Sequence, residues 1–235
     1  MPRLYGYGWL RGWIGEIAKR NKLRQRKRRS PGLIQDYLRK ADVPSLHLGC
    51  GPVILENWCN ADVQLFEGAV YLDAAQPFPV ASQVFSYIFS EHIIEHLDYE
   101  AGRRMVGECF RVMKPGGKLR IVTPDLAFLV ALAQPDKTEL QKRYINWSVA
   151  THWSAEVRPS PALVINYFFR GWGHKFIYDE PTLRGFLEDA GFVSIVRRQP
   201  GESGEAQLCG IDSHGKIIGA EFNALESLVL EAERP

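Results

Sequence analysis

The sequence predicts an α/β domain built on a mainly parallel sheet with helices on both faces. Three observations point there. From residue 45 onward, short apolar segments rich in β-branched and aromatic residues alternate with amphipathic stretches of helical spacing. Turns bearing glycine or proline separate them, most sharply Lys114-Pro115-Gly116-Gly117. The 235 residues, 46% of them hydrophobic, suit one domain with its own core. Strands interleaved with helices favour parallel pairing, because each crossover lays a helix on a face of the sheet.

Residues 1–40 read as a basic helical extension, with 12 Lys and Arg against 2 acids; the rest of the chain holds 17 against 25. Residues 9–29 are expected to be helical and to end in a run, 19–29, in which eight of eleven residues are basic. Ser30-Pro31-Gly32 is expected to break the chain. A short amphipathic helix over 32–40 follows, with Leu33, Ile34, Tyr37 and Leu38 on one face. The main domain is expected over 41–235, with strands at 45–48, 58–63, 69–72 and 84–89. A helix over 99–113, the turn at 114–117 and a strand at 118–123 come next. A helix over 181–190, ended by Gly191, and strands at 192–197 and 227–231 bring the sheet to seven. Residues 126–175 interrupt this alternation and read as a helical insertion or lid. Its aromatics, among them Phe128, Tyr144, Trp147, Trp153, Tyr167, Phe168, Phe169 and Trp172, read first as its own core and second as a wall for an acceptor.

Composition excludes several classes. Cys50, Cys59, Cys109 and Cys209 form no C-x-x-C pair, so reduced thiols are expected rather than a disulfide framework or a structural zinc site. No apolar run approaches the ~20 residues of a membrane span. Positive charge follows the aromatic start of the chain, the reverse of a secretory signal. A cytoplasmic location is therefore expected. Trp9, Leu10, Trp13 and Ile14 beside the basic run suggest contact with an anionic membrane surface through residues 9–29, at the inner face of the membrane. Nucleic acid is not an expected partner, since no RNA-binding module accompanies the run.

The first chemical candidate is L-H-L-G-C-G-P at 46–52. Two glycines just past a strand let the backbone turn sharply and approach a ligand, where open parallel sheets bind nucleotide-like molecules. Ile54 stands where the third glycine of a dinucleotide fingerprint belongs, which argues against a pyrophosphate ligand. Asp62 ends the second strand, where a carboxylate can take both hydroxyls of a ribose or simply close a turn. Asp73 follows the third strand, and the fourth runs into Ser90-Glu91-His92.

In order and spacing these segments resemble the class I, Rossmann-like methyltransferases that use S-adenosylmethionine. The resemblance covers roughly residues 45–125. It rests on L-H-L-G-C-G, N-A-D-V at 60–63, F-S-E-H-I-I-E-H-L at 89–97 and R-V-M-K-P-G-G-K-L-R-I at 111–121. H-K-F-I-Y-D at 174–179 and L-E-D-A-G-F at 187–192 are similar to a bacterial subgroup often associated with glycan or cell-surface gene sets. The resemblance implies that Leu48, Gly49, Cys50 and Gly51 lie against the methionyl part of the cofactor. It puts Asp62 and Val63 at the ribose, Asp73 and Ala74 at the adenine, and Ser90 and His92 near the sulfonium. Only 13 positions separate Gly49 from Asp62, so the helix that usually follows the glycine turn must be truncated.

The acceptor implied is a small molecule or glycan, methylated at oxygen rather than nitrogen; the N-P-P-[YF] motif of nucleobase N-methylation is absent. His92 and His174 are the candidate general bases, since imidazole titrates near neutrality. His152 has a similar neighbourhood with a weaker case, and Asp125 reads as a helix N-cap. No residue is assigned to a metal. His92, Glu95 and His96 at i, i+3 and i+4 would share one face of a helix, and H-x-x-E-H is also a zinc-hydrolase signature. A zinc metallohydrolase and a non-catalytic S-adenosylmethionine-binding protein are the two alternatives.

Overall fold

The computed structural model describes residues 8–64, 66–154 and 156–235. Its sheet comprises β1 (Ser45–Leu48), β2 (Cys59–Asp62), β3 (Val70–Tyr71), β4 (Phe85–Glu91), β5 (Met113–Pro124), β6 (Val193–Arg198) and β7 (Ser227–Glu233). The strand order is β3-β2-β1-β4-β5-β7-β6. The first five strands pair parallel, and β7 runs antiparallel to both β5 and β6. All seven expected strands are present. One boundary moves: Phe85 pairs with Met113 and Tyr87 with Lys118, so residues 114–117 form an irregularity within β5 instead of a turn before it.

The expected break at Ser30-Pro31-Gly32 does not occur, because α1 runs unbroken from Gly8 to Lys40 with Pro31 inside it. Proline costs the helix a hydrogen bond and strains the preceding turn. Here tertiary bonds outweigh that penalty. The Ser30 hydroxyl donates to the Arg26 carbonyl at 2.9 Å and accepts from Tyr71 N–H at 2.7 Å. Arg26 donates to the carbonyls of Phe66 (2.7 Å) and Ala69. The helix is thus fastened along the β3 edge, and its fully buried Ile34 enters the main core.

One face of the sheet is covered by α2 (Tyr99–Val112) and α6 (Glu180–Ala190). Asp98 and Asp179 cap their N-termini, accepting from Ala101 N–H and Thr182 N–H. Met105, Val106, Cys109, Leu183 and Leu187 join the strands' Leu46, Ile88, Leu119 and Leu230 in the main core. The opposite face carries Phe89, Val122 and Val229, and it is covered by Trp58 and Leu208 from connecting segments. This follows from the short link between β1 and β2, which leaves no room for a helix. Arg120, on that face of β5 and fully buried, donates to Asp212 (2.8 Å), Glu231 (2.8 Å) and the Glu202 carbonyl (2.8 Å). That ionic knot ties residues 202–212 to the sheet.

The insertion is helical as expected: α3 (Leu126–Ala133), α4 (Glu139–His152) and α5 (Pro161–Arg170). Phe128, Tyr144 and Phe168 build its own core with Val149 and Val164. Phe222 joins them from α8 (Ala220–Glu226), which follows the single-turn α7 (Gly215–Ile218). Neither α7 nor α8 is marked by a sequence pattern. Together these helices form a cap over the carboxyl ends of β4 and β5.

Candidate active site

The glycine turn lies where the sequence places it, just past β1. Gly49 has φ +73 and Gly51 φ +52, backbone conformations that favour glycine. A Cβ on Gly49 would fall 2.0 Å from Ile93 Cδ1, so the turn and the end of β4 are in close contact. A Cβ on Gly51 would meet nothing within 4 Å, so that glycine faces open space. Gly49 and Cys50 N–H both donate to the Ala61 carbonyl (2.8 and 3.0 Å), and Gly51 N–H donates to Asp62 Oδ2 (2.9 Å). The turn's amides are therefore committed within the protein and do not form a phosphate cradle. Asp62 also accepts from Gln64 N–H at 2.7 Å, which fixes both carboxylate oxygens while each keeps a lone pair. Open space over Gly51 beside a fixed carboxylate suits a ligand with a ribose and no phosphate.

The remaining expected cofactor residues scatter around this turn. Leu48 is a core side chain, 1% exposed. Cys50 is buried, and burial pushes its thiol up to about 11. Val63 is exposed, Asp73 is half-buried and accepts from Ala75 N–H (3.0 Å), and Ala74 is buried. Ser90 Oγ, at the end of β4, is buried without a hydrogen-bond partner.

Beyond Ser90 the geometry departs from expectation. His92, Glu95 and His96 do not share a helix face. His92 has φ +53, and only Ile94–His96 form a short 3-10 turn. The left-handed backbone at His92 separates it from the turn, so the zinc-hydrolase geometry is absent. A buried relay stands there instead. His92 Nδ1 bonds Glu95 Oε1 at 2.9 Å, and Thr123 Oγ1 donates to Glu95 Oε2 at 3.1 Å. Burial disfavours a charged imidazole at His92, but the bond to Glu95 and its negative charge outweigh that and raise the His92 pKa. Glu95 moves the opposite way: burial would raise it, and His92 holds it low. The Glu95 carbonyl accepts from Lys175 and Phe176 N–H (2.8 and 3.2 Å), which is how the H-K-F segment comes to sit against this turn.

These residues line a cavity of about 630 Å³ under the insertion. Five of the six histidines face it: His92, His96, His152, His174 and His214. Trp147, Phe168 and Trp172 form its aromatic wall, and Glu95 and Glu226 are its acids. The insertion's aromatics thus serve both as its core and as a wall. His174 Nδ1–H donates to the Phe168 carbonyl (2.7 Å), and burial lowers its pKa. His152 stacks on Tyr167 with ring centroids 4.5 Å apart, and its pKa is likewise lowered by burial. Asp125 caps α3, accepting from Ala127 N–H, and does not line the cavity. The sixth histidine, His47, is a β1 residue bonded to Asn60.

Sequence reasoning missed His214 and Glu226, and it gave Glu91 and Tyr144 no role in placing them. The Glu91 carboxylate accepts from Ser213 N–H, Ser213 Oγ (2.6 Å) and His214 N–H (3.1 Å), so it fixes His214 beside His92. His214 Nε2 lies 2.8 Å from Glu226 Oε1, and Tyr144 donates to Glu226 Oε2. Their only advance signal was the small number of histidines in the chain.

The sheet with its antiparallel β7, the glycine turn after β1 and the carboxylate ending β2 make a Rossmann-like α/β fold. A family model described as a methyltransferase domain matches residues 56–121. In that segment and in its strand order the chain is similar to the class I S-adenosylmethionine-dependent methyltransferases. An Archaeoglobus fulgidus S-adenosylmethionine-dependent methyltransferase is 18% identical, with 88% of this chain and 96% of that one covered and a TM-score of 0.49. One from Mesorhizobium loti is 15% identical, with 86% and 96% covered and a TM-score of 0.49. Haemonchus contortus phosphoethanolamine N-methyltransferase 2, solved with phosphomonomethylethanolamine and S-adenosylhomocysteine, is 12% identical, with 87% of this chain covered and a TM-score of 0.44. This chain spans about half of that enzyme, 52%. None of the curated proteins compared with the chain matches it.

Proposed function

We propose that the protein transfers the methyl group of S-adenosylmethionine to a hydroxyl of a small cyclic or glycan-like acceptor held in the histidine-lined cavity. The observation that carries this reading is His92. Its Nδ1 is taken by Glu95, and its Nε2 is left without a partner where the cavity meets the end of β4. In this reading the turn Leu48–Gly51 holds the methionyl part, Asp62 and Val63 the ribose, and Asp73 and Ala74 the adenine. Ser90 and His92 stand nearest the sulfonium. The cofactor supplies an electrophilic methyl group; the chain binds and orients the acceptor, excludes water and accepts its proton. His92 Nε2 receives that proton, with Glu95 stabilising the imidazolium, and His174, which also lies near Glu95, is the second candidate.

Titration calorimetry with S-adenosylmethionine and S-adenosylhomocysteine tests the reading, and binding of neither overturns it. A turnover screen over phenols, glycosides and amines then identifies the acceptor; methylation of amines alone would overturn the hydroxyl assignment. The glycan-like acceptor is supported by the aromatic wall, which suits a sugar ring. Among the described residues no helix is long and apolar enough to cross a membrane. Arg20, Lys22, Arg24, Lys27, Arg28 and Arg29 are exposed on α1 and suit an anionic surface at the cytoplasmic face. The side chains of Trp9, Leu10, Trp13 and Ile14 lie outside the described residues. Flotation with phosphatidylglycerol vesicles tests this contact, and loss of binding on replacing the run's arginines with glutamine is the expected result.

A further inference from the structure

We infer that the cavity binds one divalent transition-metal ion on His92 Nε2, His214 and Glu226. The inference rests on the methyl-transfer reading for the ion's purpose, though not for its binding. One ligand atom from each of the three residues lies within 4.8 Å of the other two. The His92 and His214 ring centroids are 4.2 Å apart. His214 Nε2 and Glu226 Oε1 already converge at 2.8 Å.

Supporting bonds make the set more than a cluster. Buried side-chain polar atoms are nearly always hydrogen-bonded, and His92 Nε2 is one of the few here that is not. Its Nδ1 bond to the fully buried Glu95 directs the lone pair of Nε2 into the cavity. A carboxylate behind a ligating imidazole is the usual support of a metal-bound histidine. Tyr144 holds the second oxygen of Glu226, and Glu91 anchors the backbone at His214. A second group, Glu95, His96 and His174, is equally compact. It is the weaker set, because both oxygens of Glu95 are engaged by His92 and Thr123.

Two imidazoles and one carboxylate form a borderline donor set that suits zinc, iron(II), cobalt or nickel over magnesium or calcium. Three protein ligands leave a position open for the acceptor. A hydroxyl bound there is acidified by the ion and gives its proton to water. The alkoxide or phenolate oxygen then forms its bond to the methyl carbon as the carbon–sulfur bond breaks, and neutral S-adenosylhomocysteine leaves. In the loaded protein His92 is a ligand; its role as proton acceptor belongs to the metal-free protein alone.

Metal content decides the matter. The full chain is stripped with chelator, dialysed against zinc or cobalt(II), and measured by elemental analysis and the cobalt visible spectrum. One equivalent with an intense d–d band is expected. His214→Gln, at a partly exposed position, is expected to weaken binding at least 100-fold with the fold kept by circular dichroism, and Glu226→Gln likewise. His96→Ala and His174→Ala are expected to retain the ion. Less than a tenth of an equivalent in the unaltered protein overturns the inference, as does loss of metal in His96→Ala with retention in His214→Gln. S-adenosylhomocysteine binding is measured on the same samples. Metal without cofactor binding would sink the methyl-transfer reading and leave the metal site standing.

Discussion

Asp62→Asn is the most informative substitution, because it separates the two tasks the carboxylate performs. The exchange keeps shape and volume at a site that is 7% exposed. One task is structural: Oδ2 accepts from Gly51 N–H at 2.9 Å and Oδ1 from Gln64 N–H at 2.7 Å. In the amide, one oxygen is replaced by an NH₂ that faces a backbone donor, so one charge-assisted bond is lost. That costs about 1.5–3 kcal/mol. In a chain of this length, about 2 kcal/mol corresponds to a fall in Tm of roughly 4–8 °C. The second task is the ribose. Losing a charged acceptor from one ribose hydroxyl costs about 1.5–3 kcal/mol of binding, which raises the cofactor Kd by roughly 10–100-fold. Thermal unfolding of the free protein reads the first effect. Calorimetry with S-adenosylhomocysteine, well below the variant's Tm, reads the second. A lowered Tm with a Kd within threefold of the unaltered protein would show that Asp62 only pins the glycine turn. An unchanged Tm would refute the pinning instead.

Three further outcomes are expected. Gly49→Ala places a Cβ 2.0 Å from Ile93 Cδ1 at φ +73; the backbone alone costs about 1–2 kcal/mol, and combining it with Ile93→Ala should recover part of the loss in thermal unfolding. Arg120→Met leaves Asp212 buried without its cation, and Glu231 with Arg198 alone, and should destabilise by about 3–5 kcal/mol in urea titration; an effect under about 1 kcal/mol would mean residues 202–212 are held by other means. Glu108 is held below the usual carboxylate range chiefly by its hydrogen bond to Arg111 and also by Phe78 N–H, so its contribution is present above its unfolded value near ~4.3 and is lost as pH falls through the lower folded value. Glu108→Gln should therefore cost about 1 kcal/mol at neutral pH, discounted for partial exposure, and the difference should close in acid; a gap that persists there would assign the loss to packing.

The glycine turn after β1 and the aspartate ending β2 were legible because each piece is local. A glycine turn follows a strand, an aspartate ends the next, and the order of such pieces is contained in the sequence. The conformation of His92 was not local in that sense. Its spacing to Glu95 and His96 reads as one helix face, but β4 runs on to Glu91 and pairs with Val122, so the chain leaves the sheet at His92 with φ +53. The same kind of tertiary constraint carries α1 through Pro31, where Arg26 and Ser30 bond the β3 edge 40 to 43 positions away.

The histidine-lined cavity is assembled from segments that no local pattern connects. His214 stands near His92 because Glu91 binds its backbone 123 positions away, and because Arg120 holds Asp212 across 92. Those bonds use ordinary charged residues whose spacing carries no motif. Glu226 arrives by another route: β7 runs antiparallel to β5, so Ser227 pairs with Pro124 and the residue before it lands at the carboxyl edge of the sheet. A parallel seventh strand would have put that glutamate at the opposite edge. The reversal of one strand is therefore what supplies the cavity with its second carboxylate. The lining of the cavity depends on topology as much as on residue type, which is why the histidine motif reached Glu95 but not His214 or Glu226.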